Sequence, residues 1–385
     1  MLFRLSDRIL KEFSEKLDET LRVVERIADK IDKKWLELPK PIKCKAYGVD
    51  GSKGCERFSG VVLYAVSGVA VGDELFELHD VTTLKPYKHI DERIRLHMSL
   101  MELRAGAMVD DVDLILLDGT LSGFIIRPPV YAEKNTYKNL ENCYELSNLL
   151  NEFLELLELW WDDIKRDVKE GRGRRETLLS RSKYFEKIEK SYRKGNNQDR
   201  ENLVVLLEYI EYLHALNKVL DKDVAFVAKS FYTNEFVDSQ ELTDTPILEM
   251  LALKQFGEEK AAYIPFKRKN TEKWSLEPET TLSKFILKKF KNIKNIINNI
   301  NAAFLRLIDY GNIYLVESNR KVDDELIGML ISLEADGYLL PLIHAHRYAE
   351  IKRKELKQMM LALISAMNNP RYRLLLKKGR EAIED

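Results

Sequence analysis

Between Lys45 and Gly119 the chain lays down an order of apolar segments that few folds can accommodate. Lys45 to Asp50 reads as a short strand closed by Asp50-Gly51-Ser52, and Val61 to Val71 as a long, valine-rich one. A turn at Gly72-Asp73 leads into a further strand from Leu75 to Val81. Asp91 to Met108 then changes to helical spacing, with Ile94, Met98, Met101, Ala105 and Met108 on one face. Leu114 to Leu117 is again a strand, closed by Asp118-Gly119. The first three strands are close enough in sequence for a meander. The helix is the right length for a crossover that returns a parallel strand to the sheet. An α/β fold with a mixed sheet follows.

The flanking segments are mostly helical. Residues 2 to about 36 read as one long amphipathic helix, with Leu10, Leu17, Val24 and Ile31 every seven residues and Phe13, Leu21, Ile27 and Trp35 in the same stripe. Such a helix either docks on its own core or supplies a seam for a second subunit. Pro39 and Pro41 end it, which divides the chain into a helical segment 1–40, a candidate dimer contact, and a main domain 41–385. Within the latter, 132–222 reads as a helical insertion, broken near Gly171-Arg172-Gly173 and Gly195-Asn196-Asn197. Val224 to Ala228 resumes as a buried strand. A helix from Pro246 to Phe256, strands at Ala261–Phe266, Phe304–Ile308 and Ile313–Val316, a Lys/Asn/Ile-rich helix from Lys284 to Ile300 and two C-terminal helices complete the reading.

Composition narrows the function classes. With 385 residues, 45% hydrophobic and 32% charged, the chain buries an ample core. A net charge of -1 gives no global basic signal, so nucleic-acid binding would rest on local patches. Three cysteines, Cys44, Cys55 and Cys143, make neither a disulfide framework nor a paired metal-ligand spacing. No apolar run reaches membrane-span length and no signal-peptide core is visible; a cytoplasmic location is expected.

The chemistry is carried by acids. If the two strands ending in Asp-Gly lie side by side and parallel, Asp50 and Asp118 emerge at one sheet edge, where ligands of open α/β sheets gather. Glu102, on the intervening helix beside Met98, Met101 and Ala105, can point to the same edge. Carboxylates gathered without matching cations repel one another, and a bound divalent ion resolves the repulsion. Oxygen ligands suit magnesium or manganese, which cleave phosphodiesters through an activated water. Each Asp-Gly alone is an ordinary turn signal. Their order, Asp on the first strand, Glu on the crossover helix and Asp at the end of the next strand, resembles the ribonuclease-H-like superfamily.

Further motifs make the resemblance specific. Gly48-Val49-Asp50-Gly51-Ser52, Leu100-Met101-Glu102, Leu116-Leu117-Asp118-Gly119-Thr120-Leu121, Ala228-Lys229-Ser230, Phe304-Leu305-Arg306-Leu307, Val316-Glu317, Gly337-Tyr338-Leu339-Leu340-Pro341-Leu342 and Ala345-His346 follow one another in order over most of the chain. Together they resemble the NurA family of DNA-end-processing nucleases. The resemblance implies a manganese-dependent deoxyribonuclease, with magnesium as an alternative, that acts on single-stranded DNA and resects 5′ ends. It also implies work beside HerA, a hexameric translocase, and a metal site on Asp50, Glu102, Asp118 and His346. One motif departs: relatives tend to read Gly-Tyr-Pro where this chain has Gly337-Tyr338-Leu339, with proline only at Pro341.

His346, early in a helix begun by Pro341, is a fourth ligand or a surface histidine beside Glu350. Lys229, at a strand end, meets a phosphate or simply snorkels to water. Asp244 reads as a helix cap rather than a ligand. Residues 164–195 hold 12 Lys/Arg against 5 Asp/Glu, and 266–294 hold 9 against 3. With Arg172, Arg174, Arg175, Tyr184, Tyr192 and Trp274 they are candidate DNA contacts or merely solvated faces. Two rivals stand beside the nuclease: an RNA-cleaving enzyme on the same core, and a non-catalytic adaptor guiding DNA to a hexameric ATPase.

Overall fold

Two structural glycines, Gly48 and Gly68, decide how helices pack on the central sheet. The computed structural model describes residues 7–85, 89–126, 134–171, 177–195, 199–236, 242–268, 281–297, 300–366 and 370–377. Helix α1 (Asp7–Ala28) and the short strand β1 (Leu36–Glu37) precede the meander of β2 (Ala46–Arg57), β3 (Val62–Val71) and β4 (Leu75–Leu84). Helix α2 (Ile90–Met108) crosses over to β5 (Leu114–Asp118). There follow α3 (Leu121–Ile126), α4 (Lys134–Cys143), α5 (Leu146–Lys169), α6 (Lys183–Ser191) and α7 (Arg200–Val219). The chain then re-enters the sheet as β6 (Val224–Ala228) and continues through α8 (Asp244–Phe256), β7 (Ala262–Lys267), α9 (Thr281–Lys289) and α10 (Lys291–Ile296). Strands β8 (Asn301–Arg306) and β9 (Ile313–Ser318) complete the sheet. After them come α11 (Asp324–Ser332), a small ribbon of β10 (Glu334–Ala335) and β11 (Tyr338–Leu339), α12 (Leu340–Ala349) and α13 (Arg353–Ala366).

The main sheet has nine strands in the order β1-β7-β8-β9-β6-β5-β2-β3-β4. β5 runs parallel to both β2 and β6, and the remaining pairings are antiparallel. Alternation along the strands sends their side chains to two cores. Val49, Ile115, Leu117 and Phe226 join the core under α2 and α7, whereas Leu114, Leu116, Ala225, Val227 and Val316 join the one under α11 and α12.

Gly48 and Gly68 let helices press onto the two faces. A Cβ on Gly68 would lie 2.2 Å from the carbonyl carbon of Met101 in α2, and one on Gly48 would lie 2.1 Å from the Pro341 carbonyl oxygen at the start of α12. Real Cβ atoms do not approach backbone so closely, so only glycine permits both contacts.

Several expectations are corrected. The strand beginning near Lys45 does not close at Asp50 but continues to Arg57, because β3 offers it an unbroken ladder through Gly51↔Gly68 and Cys55↔Tyr64. Helix α2 was expected to bury one face. It is buried nearly all round, packed between the sheet and α7, with Arg93, His97 and Arg104 as inaccessible as its apolar stripe. Helix α1 ends at Ala28 rather than near residue 36. Trp35 lies beyond it and is buried, its indole Nε1 donating to the Leu248 carbonyl at 3.1 Å. The single helix expected from Lys284 to Ile300 is split at Phe290, which turns inward with Ile293.

Candidate active site

The parallel register places the two aspartates. Val49 pairs with Leu117, so Asp50 and Asp118 stand one residue further on, on adjacent strands. Both share the parity of Leu114 and Leu116 and therefore face α12. Strand β5 ends at Asp118 while β2 runs on, so the two carboxylates sit at the carboxyl rim of the parallel pair.

Each aspartate has a partner. His346, on α12, places Nδ1 2.8 Å from Asp50 Oδ2, and the Gly51 amide donates to Asp50 Oδ1 at 2.8 Å. Gly48 makes this possible by letting the first turn of α12 lie against β2, while Val69 and Val71 pack on Ala345 and Ala349. Lys229, the residue after β6, donates from Nζ to Asp118 Oδ2 at 3.1 Å. Its ammonium thus stands at the acidic rim, nearly half exposed to water. Burial pushes the Asp50 carboxyl above the usual aspartate range. The hydrogen bonds from His346 and Gly51 pull the other way, and Asp118 adds repulsion.

Glu102 reaches this region from the opposite face. It lies on α2, and a Cβ on Gly51 would be 3.3 Å from Glu102 Cβ. The absent side chain at Gly51 leaves a notch in β2 directly beside Asp50, over which the buried Glu102 begins. Among the described residues, no three His, Cys, Asp or Glu side chains already surround one ion-sized position. The rim instead holds two closed pairs, His346 with Asp50 and Lys229 with Asp118, with Glu102 across the strand. The donor set nonetheless fits a hard divalent cation. Carboxylate oxygens with one imidazole are the ligands such an ion takes, and Asp50 is held by burial and repulsion in a state that a nearby positive charge would relieve.

Other residues set this rim and were not assigned by sequence reasoning. Glu317, fully buried on β9, accepts the Ser122 amide at 2.7 Å and hydroxyl at 3.0 Å, and also Arg268 Nε at 2.8 Å. It thereby ties down the start of α3 just after Asp118. Burial raises its carboxyl, opposed by Arg268 and Ser122. Asp244 is corrected from a helix cap. It is fully buried and accepts the backbone amides of Glu235 and Phe236 at 2.8 and 2.9 Å, fastening the loop that follows Lys229. Tyr338 also touches the site, through Lys229.

Among the described residues of the basic stretch 164–195, several cations are paired within the protein. Lys165 and Lys169 share Asp110, Arg166 meets Asp163, and Arg193 meets Glu189. Tyr184 and Trp160 pack with their rings nearly perpendicular, and Tyr192 hydrogen-bonds Glu152. Arg172, Arg174, Arg175 and Trp274 lie outside the described residues.

Fold and site together define an α/β protein with an acidic rim at the carboxyl ends of its parallel strands. Within that class its place is specific: the NurA domain model matches residues 44–351, and the chain belongs to the NurA domain family. The DNA double-strand break repair nuclease NurA of Pyrococcus furiosus is 29% identical, over 98% of this chain and 98% of that protein. A crystal structure of NurA bound to dAMP and manganese superposes with a TM-score of 0.79 at 27% identity, covering 97% of this chain and 100% of that one. Another, of NurA with manganese, gives 0.76 at 26% identity over 94% and 99%. No described helix is long and apolar enough to cross a membrane.

Proposed function

We propose that this chain is a metal-dependent deoxyribonuclease that cleaves single-stranded DNA and resects 5′ ends during double-strand break repair. The observation that carries the reading is the pair Asp50 and Asp118, in adjacent register at one sheet rim, in a chain homologous over its length to a break-repair nuclease. The solved NurA structures with manganese support a divalent cofactor, manganese first and magnesium as an alternative. Strand order β3-β2-β5-β6 around the crossover helix supports a ribonuclease-H-like core, with 132–222 as an insertion and 41–385 as the nuclease domain.

The residue roles follow from position. Asp50 and Asp118 would hold the ion, with Glu102, beside Gly51, and His346 as the further donors. The bound ion supplies an activated water and neutralises charge on the leaving oxygen. The carboxylates would fix its place, and His346, now 2.8 Å from Asp50 Oδ2, would stand beside them as an imidazole donor. Lys229, released from Asp118, holds a phosphate oxygen of the strand. None of these contacts reads a base, so cleavage is sequence-independent. A HerA-type hexameric translocase feeds the strand, and the exposed apolar residues Ile9, Leu10, Phe13, Leu17 and Leu21 of α1 suit a homodimer contact.

A 5′-labelled single strand incubated with the purified protein tests the reading. Cleavage with manganese, its loss with chelator and its loss in D118A are expected. Equal cleavage of a matched RNA, or binding without cleavage while a hexameric ATPase is stimulated, would transfer the protein to one of its rivals.

A further inference from the structure

Tyr338 is buried beside the rim, and its hydroxyl has no hydrogen-bond partner among the described residues. What it presents to the site is the face of its ring: the ammonium of Lys229 lies 4.4 Å from the ring centroid. The same ammonium is 3.1 Å from Asp118 Oδ2. A lysine nearly half exposed on a four-carbon stem would otherwise sample many rotamers. The ring beneath and the carboxylate beside it leave few.

The platform itself is well fixed. Tyr338 pairs with Ala335 across the β10–β11 ribbon, whose turn holds Asp336 and Gly337 at positive φ. Its ring packs on that of Tyr314 with centroids 5.1 Å apart, and the Tyr314 hydroxyl donates to the Gly337 carbonyl at 2.6 Å. Burial and the nearby charges of Asp118 and Asp50 keep the Tyr338 hydroxyl protonated, so the ring acts as a neutral quadrupole.

We propose that Tyr338 is a positioning residue whose ring face holds the Lys229 ammonium at the rim, ready for a substrate phosphate. The part played in cleavage rests on the nuclease reading above; the ring–ammonium contact does not.

The test uses the full chain with its lysines reductively dimethylated with carbon-13, which keeps their charge. The Lys229 methyl signal, identified by its absence in K229R, is expected to lie upfield of the other lysines through the ring current, without metal or DNA. Y338F should keep that displacement and Y338L should lose it. In cleavage assays, Y338L and K229M should each slow the reaction about tenfold. The double variant should be no slower than K229M, because Tyr338 acts through the lysine. Y338F should restore the rate.

An undisplaced Lys229 signal in the wild type overturns the proposal. So does a Y338F variant as slow as Y338L, since the hydroxyl would then carry the effect, or an additive double variant. If Y338L does not fold, the wild-type and Y338F signals still decide. If the wild type cleaves no DNA, the nuclease reading fails while the spectrum still rules on the contact.

Discussion

Helix α2 borders two groups of charges, and the molecule uses them in opposite ways. On the side facing α7 lies a sealed seam. Arg93 makes a two-point pair with Glu208 at 2.8 and 3.0 Å and a third contact with Glu201 at 2.6 Å. His97 lies 3.1 Å from the same Glu208 and 2.7 Å from the Tyr64 hydroxyl. Arg104 bonds Glu211 and the Thr177 carbonyl, and Glu211 also accepts the amides of Leu179 and Ser180. Arg93 and His97 hold the Glu208 carboxyl far below its usual range despite full burial. At the rim on the other face, Asp50 is lifted rather than lowered. Its partner His346 is two-thirds exposed, and the cation opposite Asp118 stands nearly half in water. Charges that are enclosed and matched hold helices together; charges that are half-open and under-matched are left able to accept something else.

The sharpest way to break this contrast is to empty the seam. Glu208→Ala leaves Arg93 buried without its main partner and should lower unfolding stability by about 3–5 kcal/mol. Protein still folded in the cold should cleave DNA at the wild-type rate. A urea midpoint that does not move would show the seam to be dispensable.

Emptying the rim should do the reverse. Asp50→Ala or Asp118→Ala is expected to reduce cleavage by about 10²–10³-fold, the scale for losing one charge-stabilising group. The thermal midpoint should stay close to wild type. A variant that loses activity only in proportion to lost folding would place Asp50 or Asp118 with the seam instead.

Gly48→Ala probes the link between α12 and the rim. The new methyl would press on the backbone at Pro341 and should cost about 1–3 kcal/mol. It should also draw His346 away from Asp50, so activity should fall more than stability alone explains. Activity that tracks stability would mean that α12 is only a prop.

The smallest effect concerns acid. His214 and Lys218 hold the Glu158 carboxyl down to about 2, against burial that pushes it up. A depressed carboxyl gives stability that is present above its unfolded pKa and fades as pH falls from 4.5 toward 2. Burial lowers His214, so it prefers to be neutral in the fold and weakens the fold once pH drops below 6.5. Because Glu158 is half exposed, Glu158→Gln should remove well under about 1 kcal/mol of acid sensitivity between pH 7 and 3, read by chemical unfolding at each pH.

Sequence patterning revealed the frame better than the pairings. β3, β5 and α2 are legible because their apolar periods, 2 and 3.6, hold over whole elements. The overrun of β2 through Gly51-Ser52-Lys53-Gly54 is not, since its cause is the ladder offered by β3 and not its own side chains. Arg93, His97 and Arg104 look like the solvent face of a helix. Their carboxylate partners on α7 lie more than 100 residues away, and only tertiary packing unites them. The adjacency of Asp50 and Asp118 could be read from two Asp-Gly segments on strands expected to lie parallel. The approach of His346 could not, because it depends on a glycine that lets α12 touch β2. Glu317 and Tyr338 were visible as parts of motifs, but their contacts, to Ser122 and Lys229, belong to the fold alone.

Anomalous diffraction at the manganese edge from crystals soaked with the ion tests the central assignment most directly. A peak between Asp50 and Asp118, with Glu102 turned toward it and Lys229 parted from Asp118, is the predicted result. A fully soaked crystal with no peak there, both pairs still closed and manganese bound elsewhere, would contradict it.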